Sequence, residues 1–157
     1  MLIWTCTIPG EPCAKGRPRF SRRSGRAYTP AKTAAWATMA GWYMRDGGLP
    51  DAPLSGPLYV EIVATFARPK SRMKKADWHG PAPHVVKPDA DNIAKLVLDA
   101  LQAAGVIEDD KTVCRLYVSK LWADYDWPTK TSAEPWVQVS IAPVETPGAI
   151  YIDRGQA

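Results

Sequence analysis

With 157 residues, 46% apolar and 23% charged, the chain is long enough to bury one core, and its composition is that of a soluble globular domain. It has no run of about 18 apolar residues, and MLIWTCTIPGEP lacks the basic and apolar parts of a secretion leader, so the expected location is the cytoplasm, away from any membrane. The net charge of +4 is unevenly spread: residues 1–45 hold eight Lys and Arg against one acid, whereas residues 89–157 hold six against eleven.

LIWTCTI, residues 2–8, is β-branched and aromatic and runs into Pro9-Gly10, which predicts a strand closed by a turn. KGRPRFSRRSGRAYTP, residues 15–30, has six basic residues, two glycines and two prolines and predicts a loop or irregular hairpin. Pro30 opens a helix predicted to reach about Met44, with Trp36, Met39, Ala40 and Tyr43 on one face and Gly47-Gly48 at its end. PLYVEIVATFARP, residues 57–69, alternates as a strand, with Tyr59 (or Val60), Ile62, Ala64 and Phe66 available to one face. Residues 69–88, rich in Pro and Lys, predict a long loop of the kind that is functional or mobile.

The next helix has the clearest pattern in the chain. Ile93, Leu96, Val97, Ala100, Leu101 and Ala104 share one face, Asp91, Lys95 and Asp99 another, and Gly105 stops it. TVCRLYVSKLWA, residues 112–123, and PWVQVSIAP, residues 135–143, predict two strands, expected to pair antiparallel with each other. The order βαβαββ implies an α+β fold: one small domain over residues 1–145 with a mixed or antiparallel sheet and two main helices, then a loosely held tail over 146–157. Cys6, Cys13 and Cys114 are odd in number and lack paired spacing, which points to reduced thiols and against thiolate metal binding.

Chemistry concentrates in KPDADNIAKLVLDAL, residues 87–101, and IEDDKTV, residues 107–113. An aspartate at a helix start can cap free N–H groups and suits the helix dipole. One carboxylate suffices for that, yet Asp89 and Asp91 sit together there, and Asp109 and Asp110 follow just beyond the helix. Converging carboxylates repel unless a cation offsets them, and hard oxygen ligands favour Mg²⁺ or Mn²⁺ over zinc. Beside a basic half that attracts phosphates, such a cluster suits a metal-dependent nuclease cutting DNA; the plain alternative is two solvated surfaces. A 16-residue helix spans about 24 Å, so Asp110 stays near its far end. Either a shorter helix with a bent start or a partner subunit would have to bring it to Asp89. Lys95, one turn after Asp91, either neutralises charge on the transition state or forms a surface ion pair with Asp91 or Asp99.

In order and spacing, residues 87–120 resemble the RusA-type Holliday junction resolvase family, whose pattern is PD-x-DN-x-x-K, an apolar helix, a DD pair and a downstream lysine, here Lys120. GRPRF and YTP, around residues 16–30, resemble its phage-associated branch. The resemblance implies an intertwined homodimer, a Mg²⁺-dependent endonuclease that binds four-way DNA junctions and makes paired symmetric nicks. It assigns metal binding to Asp89, Asp91 and Asp110 and a catalytic role to Lys95; Asp109 and Asn92 also fit the motif. The family's intertwined dimer would also address the distance between Asp110 and Asp89. Ala90, where a bulkier aliphatic is usual, and the long basic loop before Lys87 depart from the pattern without removing a catalytic group.

DNA contacts are expected from Lys15, Arg17, Arg19, Arg22, Arg23 and Arg26, from Lys70, Arg72, Lys74 and Lys75, and from Lys120. Phe20 and Tyr28 lie in the basic loop, where anchoring in the core is favoured over stacking on bases. His79 and His84, five apart with no third ligand, are assigned surface or hydrogen-bonding roles rather than a metal. A non-catalytic DNA-binding protein is the main alternative, but binding alone gains nothing from acids beside phosphate. A nucleotide hydrolase would lack its Gly-rich phosphate loop.

Overall fold

The computed structural model describes residues 2–23, 25–74, 80–126 and 128–144. Strand β1 (Trp4–Pro9) alternates buried Trp4, Cys6 and Ile8 with exposed Thr5, Thr7 and Pro9, the pattern of a strand with one face in the core. A short basic hairpin, β2 (Arg19–Ser21) and β3 (Arg26–Tyr28), precedes helix α1 (Ala31–Asp46). Strand β4 (Leu58–Phe66) leads into a long connection that carries one turn of 3-10 helix, Lys70–Arg72, and the two-residue strand β5 (Ala82–Pro83). Helix α2 (Ala90–Ala104) follows, then a 3-10 turn at Asp110–Thr112 and strand β6 (Val113–Trp122). A small hairpin, β7 (Tyr125–Asp126) and β8 (Thr131–Ser132), leads to β9 (Trp136–Pro143).

The chain is therefore α+β, with two helices and a mixed five-stranded sheet in the order β1-β9-β4-β6-β5. The expected antiparallel pairing of β6 with β9 does not occur. Strand β4 lies between them, pairing antiparallel with β9 (Val60 with Ile141) and parallel with β6 (Val60 with Leu116). The reason is the helix: a crossover through α2 returns β6 in the direction of β4 and fills that edge, leaving β9 the other.

Along β4, Leu58, Val60, Ile62, Ala64 and Phe66 are buried on one face. They share one cluster with Trp36, Ala40 and Met44 of α1 and with Ile93, Leu96, Val97, Ala100 and Leu101 of α2. The predicted apolar face of α2 is buried in full, and Asp91 and Lys95 are exposed on the other side as the spacing implies. Gly105 ends the helix in the left-handed region (φ 81°), where its N–H donates to the Gln102 carbonyl and that of Val106 to the Leu101 carbonyl. In α1, Thr33, Trp36, Ala40, Gly41 and Met44 are buried, while Met39 and Tyr43 are only partly covered. All three cysteines are unbonded, Cys6 and Cys13 buried and Cys114 exposed. Lys75, His79 and the expected tail, 146–157, lie outside the described residues, among which no helix is long and apolar enough to cross a membrane.

Two consequences of this topology position the site. Both helices start at one end of the sheet, the end where β1, β4 and β6 finish, because Lys15 meets Asn92 in the first turn of α2 while the next amide, Gly16, donates to the Thr33 hydroxyl in the first turn of α1. The outer edge of β6 is paired only at its last residues, with β5 at Trp122 and Leu121 and with His84, whose N–H donates to the Lys120 carbonyl; from Val113 to Ser119 that edge is open among the described residues.

Because Leu101 is fully buried in the core between α2 and the sheet, Leu101→Ala should cost about 2–5 kcal/mol through lost transfer and the cavity left behind. Urea unfolding should show a lower midpoint with an unchanged slope.

Candidate active site

Asp89 stands at the position before α2 with extended dihedrals (φ −75°, ψ 147°), where an aspartate ordinarily caps the helix. Its side chain makes no capping hydrogen bond. Asp91 lies in the first turn of the same helix, and its ion partner is Lys95, one turn on, at 3.9 Å with both side chains about two-thirds exposed. A pair that long and that wet holds neither group firmly. Capping thus does not account for the Asp89 carboxylate, and both acids sit at the end of a helix where its dipole stabilises negative charge.

The basic segment is tied to the same spot. The Lys15 amide donates to the Asn92 carbonyl (2.9 Å), and the Lys15 ammonium pairs with Asp99 (2.5 Å) two turns along α2. Two adjoining shallow grooves result, of about 410 and 330 Å³. Asp89 and Asn92 face the first with Lys15, Arg17 and Lys87; Asp91, Asn92 and Lys95 face the second, again with Lys15 and Arg17. Acids and cations lining the same grooves are what a phosphodiester backbone beside a metal requires. A larger cavity of about 540 Å³ between α1 and α2, lined by small residues such as Ala34, Ala37 and Ala103, contains neither Asp89 nor Asp91.

Asp110 is not part of this cluster. It begins the 3-10 turn ahead of β6, and β6 then runs back toward the start of α2. Val113, near Asp110, pairs with Leu58, whereas Lys120, near Asp89, pairs with Ala64; about 23 Å of strand separates the two at roughly 3.3 Å per residue. Among the described residues no three acidic, His or Cys side chains gather closely enough to hold a metal. Asp109 serves the turn itself: its carboxylate accepts from the Lys111 amide (2.9 Å) and pairs with the Lys111 ammonium (3.1 Å). Those bonds, the backbone N–H first, hold its carboxyl below the usual range.

The cations expected to meet DNA are distributed over two surfaces. Arg19, Arg22, Arg23 and Arg26 are exposed on the β2–β3 hairpin or its turn, and Lys70, Arg72 and Lys74 are exposed beyond β4. Phe20 and Tyr28 do not anchor in the core: they are 67% and 49% exposed, since the hairpin pairs only with itself. Lys120 is placed differently from the other cations. Its ammonium donates to the carbonyls of Val86 (2.7 Å) and Pro88 (2.5 Å).

Two residues at this end of the molecule had no functional signal in the sequence. Arg68 is buried, its Nε donating to the Ala123 carbonyl (3.0 Å) and its Nη2 to that of Gly80 (2.7 Å), which fastens the long connection to the sheet. His84, expected at the surface or in a hydrogen bond, is buried, stacked on Phe66 (centroids 3.9 Å apart) and tilted against Trp122 (4.2 Å). Its Nδ1 has no hydrogen-bond partner among the described residues. Burial, helped by the charges of Lys120 and Arg72, pushes its pKa below the ordinary value. No periodicity marks either residue, because the segment that carries them is irregular until β6 gives it an edge to lie on.

The family model for Endodeoxyribonuclease RusA matches residues 9–134, from the end of β1 to the approach to β9. The chain belongs to the RusA endodeoxyribonuclease family. Membership implies endodeoxyribonuclease activity, and the matched span contains the acid pair, the basic hairpin and all of β6. The chain is also 32% identical, over 145 residues covering 88% of it and 94% of the relative, to "Uncharacterized protein YqaN" of Bacillus subtilis (strain 168). That relative's name assigns no role to any residue of this RusA family member.

His84 supplies a test by acid. A histidine whose folded pKa is depressed contributes stability that is fully present above its unfolded value of about 6.5 and is lost as pH falls through that value toward the folded one. The melting temperature of the wild type should therefore drop between pH 7.5 and 5.5, and His84→Leu should drop less over the same range.

Proposed function

We propose that this RusA family member resolves four-way DNA junctions, hydrolysing phosphodiester bonds with Mg²⁺ or Mn²⁺ and making paired symmetric nicks as a homodimer. The observation that carries the reading is the pair of carboxylates at the start of α2, Asp89 outside any capping bond and Asp91 held only loosely by Lys95, which share their grooves with Lys15 and Arg17. Binding alone is better served without acids beside phosphate, so the arrangement favours cutting over a purely DNA-binding role.

One chain supplies two of the three expected ligands, which fits half of a hard-oxygen set. The third, Asp110, is proposed to come from a second copy. The open edge of β6 supports this: Leu116 and Tyr117 are about half exposed there, and Val85 and Val86 lie exposed beside the same edge. Antiparallel pairing of the open stretches of two β6 strands, Val113 to Ser119, would bring the 3-10 turn at residue 110 of one copy to the end of the other's β6, where β5 closes the edge beside Lys120 and Pro88. An unpaired edge with apolar side chains is a template for such pairing. A bound ion would polarise the phosphoryl oxygen and lower the pKa of an attacking water. Lys95, loosely held by Asp91, is free to neutralise charge developing on the phosphate. Arginines of the β2–β3 hairpin and Arg17 hold the backbone, and the exposed rings of Phe20 and Tyr28 offer stacking surfaces to bases splayed at a branch point.

Synthetic four-way junctions should be nicked with Mg²⁺ far faster than linear duplex. Asp91→Asn should lower nicking by about two orders of magnitude or more, beyond the 10–100-fold typical of residues that only orient ligands, with junction binding retained or tightened. Equal nicking by both proteins, or junction binding without nicking by the wild type, would overturn the catalytic reading.

Mixing separately inactive Asp91→Asn and Asp110→Asn chains tests the shared site. If Asp110 acts across the dimer, each mixed dimer has one intact and one doubly altered site, and nicking returns on one strand. If Asp110 acts within its own chain, the mixture stays inactive.

A further inference from the structure

We infer that Lys120 is a positioning residue for Asp89: it clamps the chain just ahead of that carboxylate instead of contacting DNA. The inference rests on the active-site reading above.

The stretch from Val85 to Pro88 leads into Asp89 and has little packing of its own. Val85 and Val86 are 77% and 49% exposed, and the backbone pairing of the segment with β6 stops at the bond from the His84 amide to the Lys120 carbonyl (3.0 Å). Beyond that point the Lys120 side chain takes over. Its ammonium donates to the carbonyls of Val86 and Pro88, the second of which belongs to the residue directly before Asp89. Lys120 is thus bonded to this segment at three carbonyl or amide groups: its own C=O receives His84, and its Nζ gives to Val86 and Pro88. A lysine has three N–H donors and no acceptor, so two of the three are already committed. Bonds from an ammonium to carbonyls are charge-assisted and stronger than neutral ones.

A second contact holds the same segment from the sheet side. The His84 ring stacks on Phe66 of β4 and leans on Trp122 of β6, on the face of the sheet that also carries Ala64 and Lys120. The ring fixes where the segment leaves the sheet, and the ammonium fixes the next four residues up to Asp89. If Lys120 swung out to a phosphate it would leave both carbonyls without their donor and free the arm that carries a proposed ligand. An aliphatic residue at 120 would keep the strand while releasing the arm.

The test uses the full chain and Lys120→Met, which keeps the side-chain length and removes the donors. In metal-free, DNA-free protein, hydrogen exchange of peptides covering residues 84–92 should be faster in Lys120→Met than in the wild type, with peptides of α1 unchanged as a control for folding. Affinity for Mn²⁺ alone, measured by calorimetry, should fall about tenfold or more, as when an outer partner of a metal ligand is removed. Junction affinity in EDTA, and its dependence on salt, should stay as in the wild type. Lys120→Arg, which keeps the charge and donors, should restore part of the protection over 84–92.

Unchanged exchange over 84–92 overturns the clamp. So does unchanged Mn²⁺ affinity together with a salt slope reduced by about one, the signature of a lost phosphate contact. A wild type that neither binds Mn²⁺ nor nicks junctions sinks the active-site reading instead, while the exchange measurement still decides whether Lys120 holds the arm. Should Lys120→Met also loosen α1, Lys120→Arg against the wild type decides the exchange comparison.

Discussion

A parallel β4–α2–β6 unit sends its helix the length of the sheet before the next strand can begin, and that single geometric constraint shapes the whole site. Whatever follows α2 starts at the end remote from Asp89, so Asp110 lies about a strand's length from the acid pair. The constraint cannot be relaxed by a loop, because the 15-residue helix is packed along its length: Ile93, Leu96, Val97, Ala100 and Leu101 are all buried along one side. The same constraint has a favourable side. β6 returns toward the start of α2, so its last residues, Lys120 to Trp122, stand beside the segment that delivers Asp89.

The electrostatic arrangement follows from where the termini of the helices fall. With α1 and α2 starting at one end of the sheet, the basic segment before α1 and the acids at the start of α2 become neighbours, joined by the bond between Lys15 and Asn92. Acids that would repel a nucleic acid are thereby set among cations that attract it, in grooves lined by both. The hairpin arginines reach further out, on a ribbon that pairs only with itself and whose aromatic rings stay in solvent.

Support for the acid pair comes from below, through the sheet. Arg68 ties Gly80 of the long connection to Ala123 just past the end of β6, His84 stacks its ring on Phe66 and leans on Trp122, and Lys120 bonds the last carbonyls before Asp89. Each of these side chains is polar and at least partly buried, an arrangement costly to build unless every group serves. Here what they hold in place is the irregular approach to the acid pair.

Sequence alone determined the parts that depend on local rules. The apolar period of α2, its glycine stop, the alternation in β1 and β4 and the run of Asp89, Asp91 and Asn92 ahead of Lys95 are all readable from spacing, because each is decided within one or two turns of chain. The two-helix α+β architecture followed from element order, and the separation of Asp110 from Asp89 from helix length. Only the tertiary structure decided which strands are neighbours, and so moved β4 between β6 and β9; strand adjacency depends on crossovers, which leave no local trace. It also decided that Phe20 and Tyr28 stay exposed, that Asp89 is spared from capping, and that Lys120 faces Val86 and Pro88. A side chain's partner across the fold is set by packing between distant segments, and no spacing rule in a single chain encodes it.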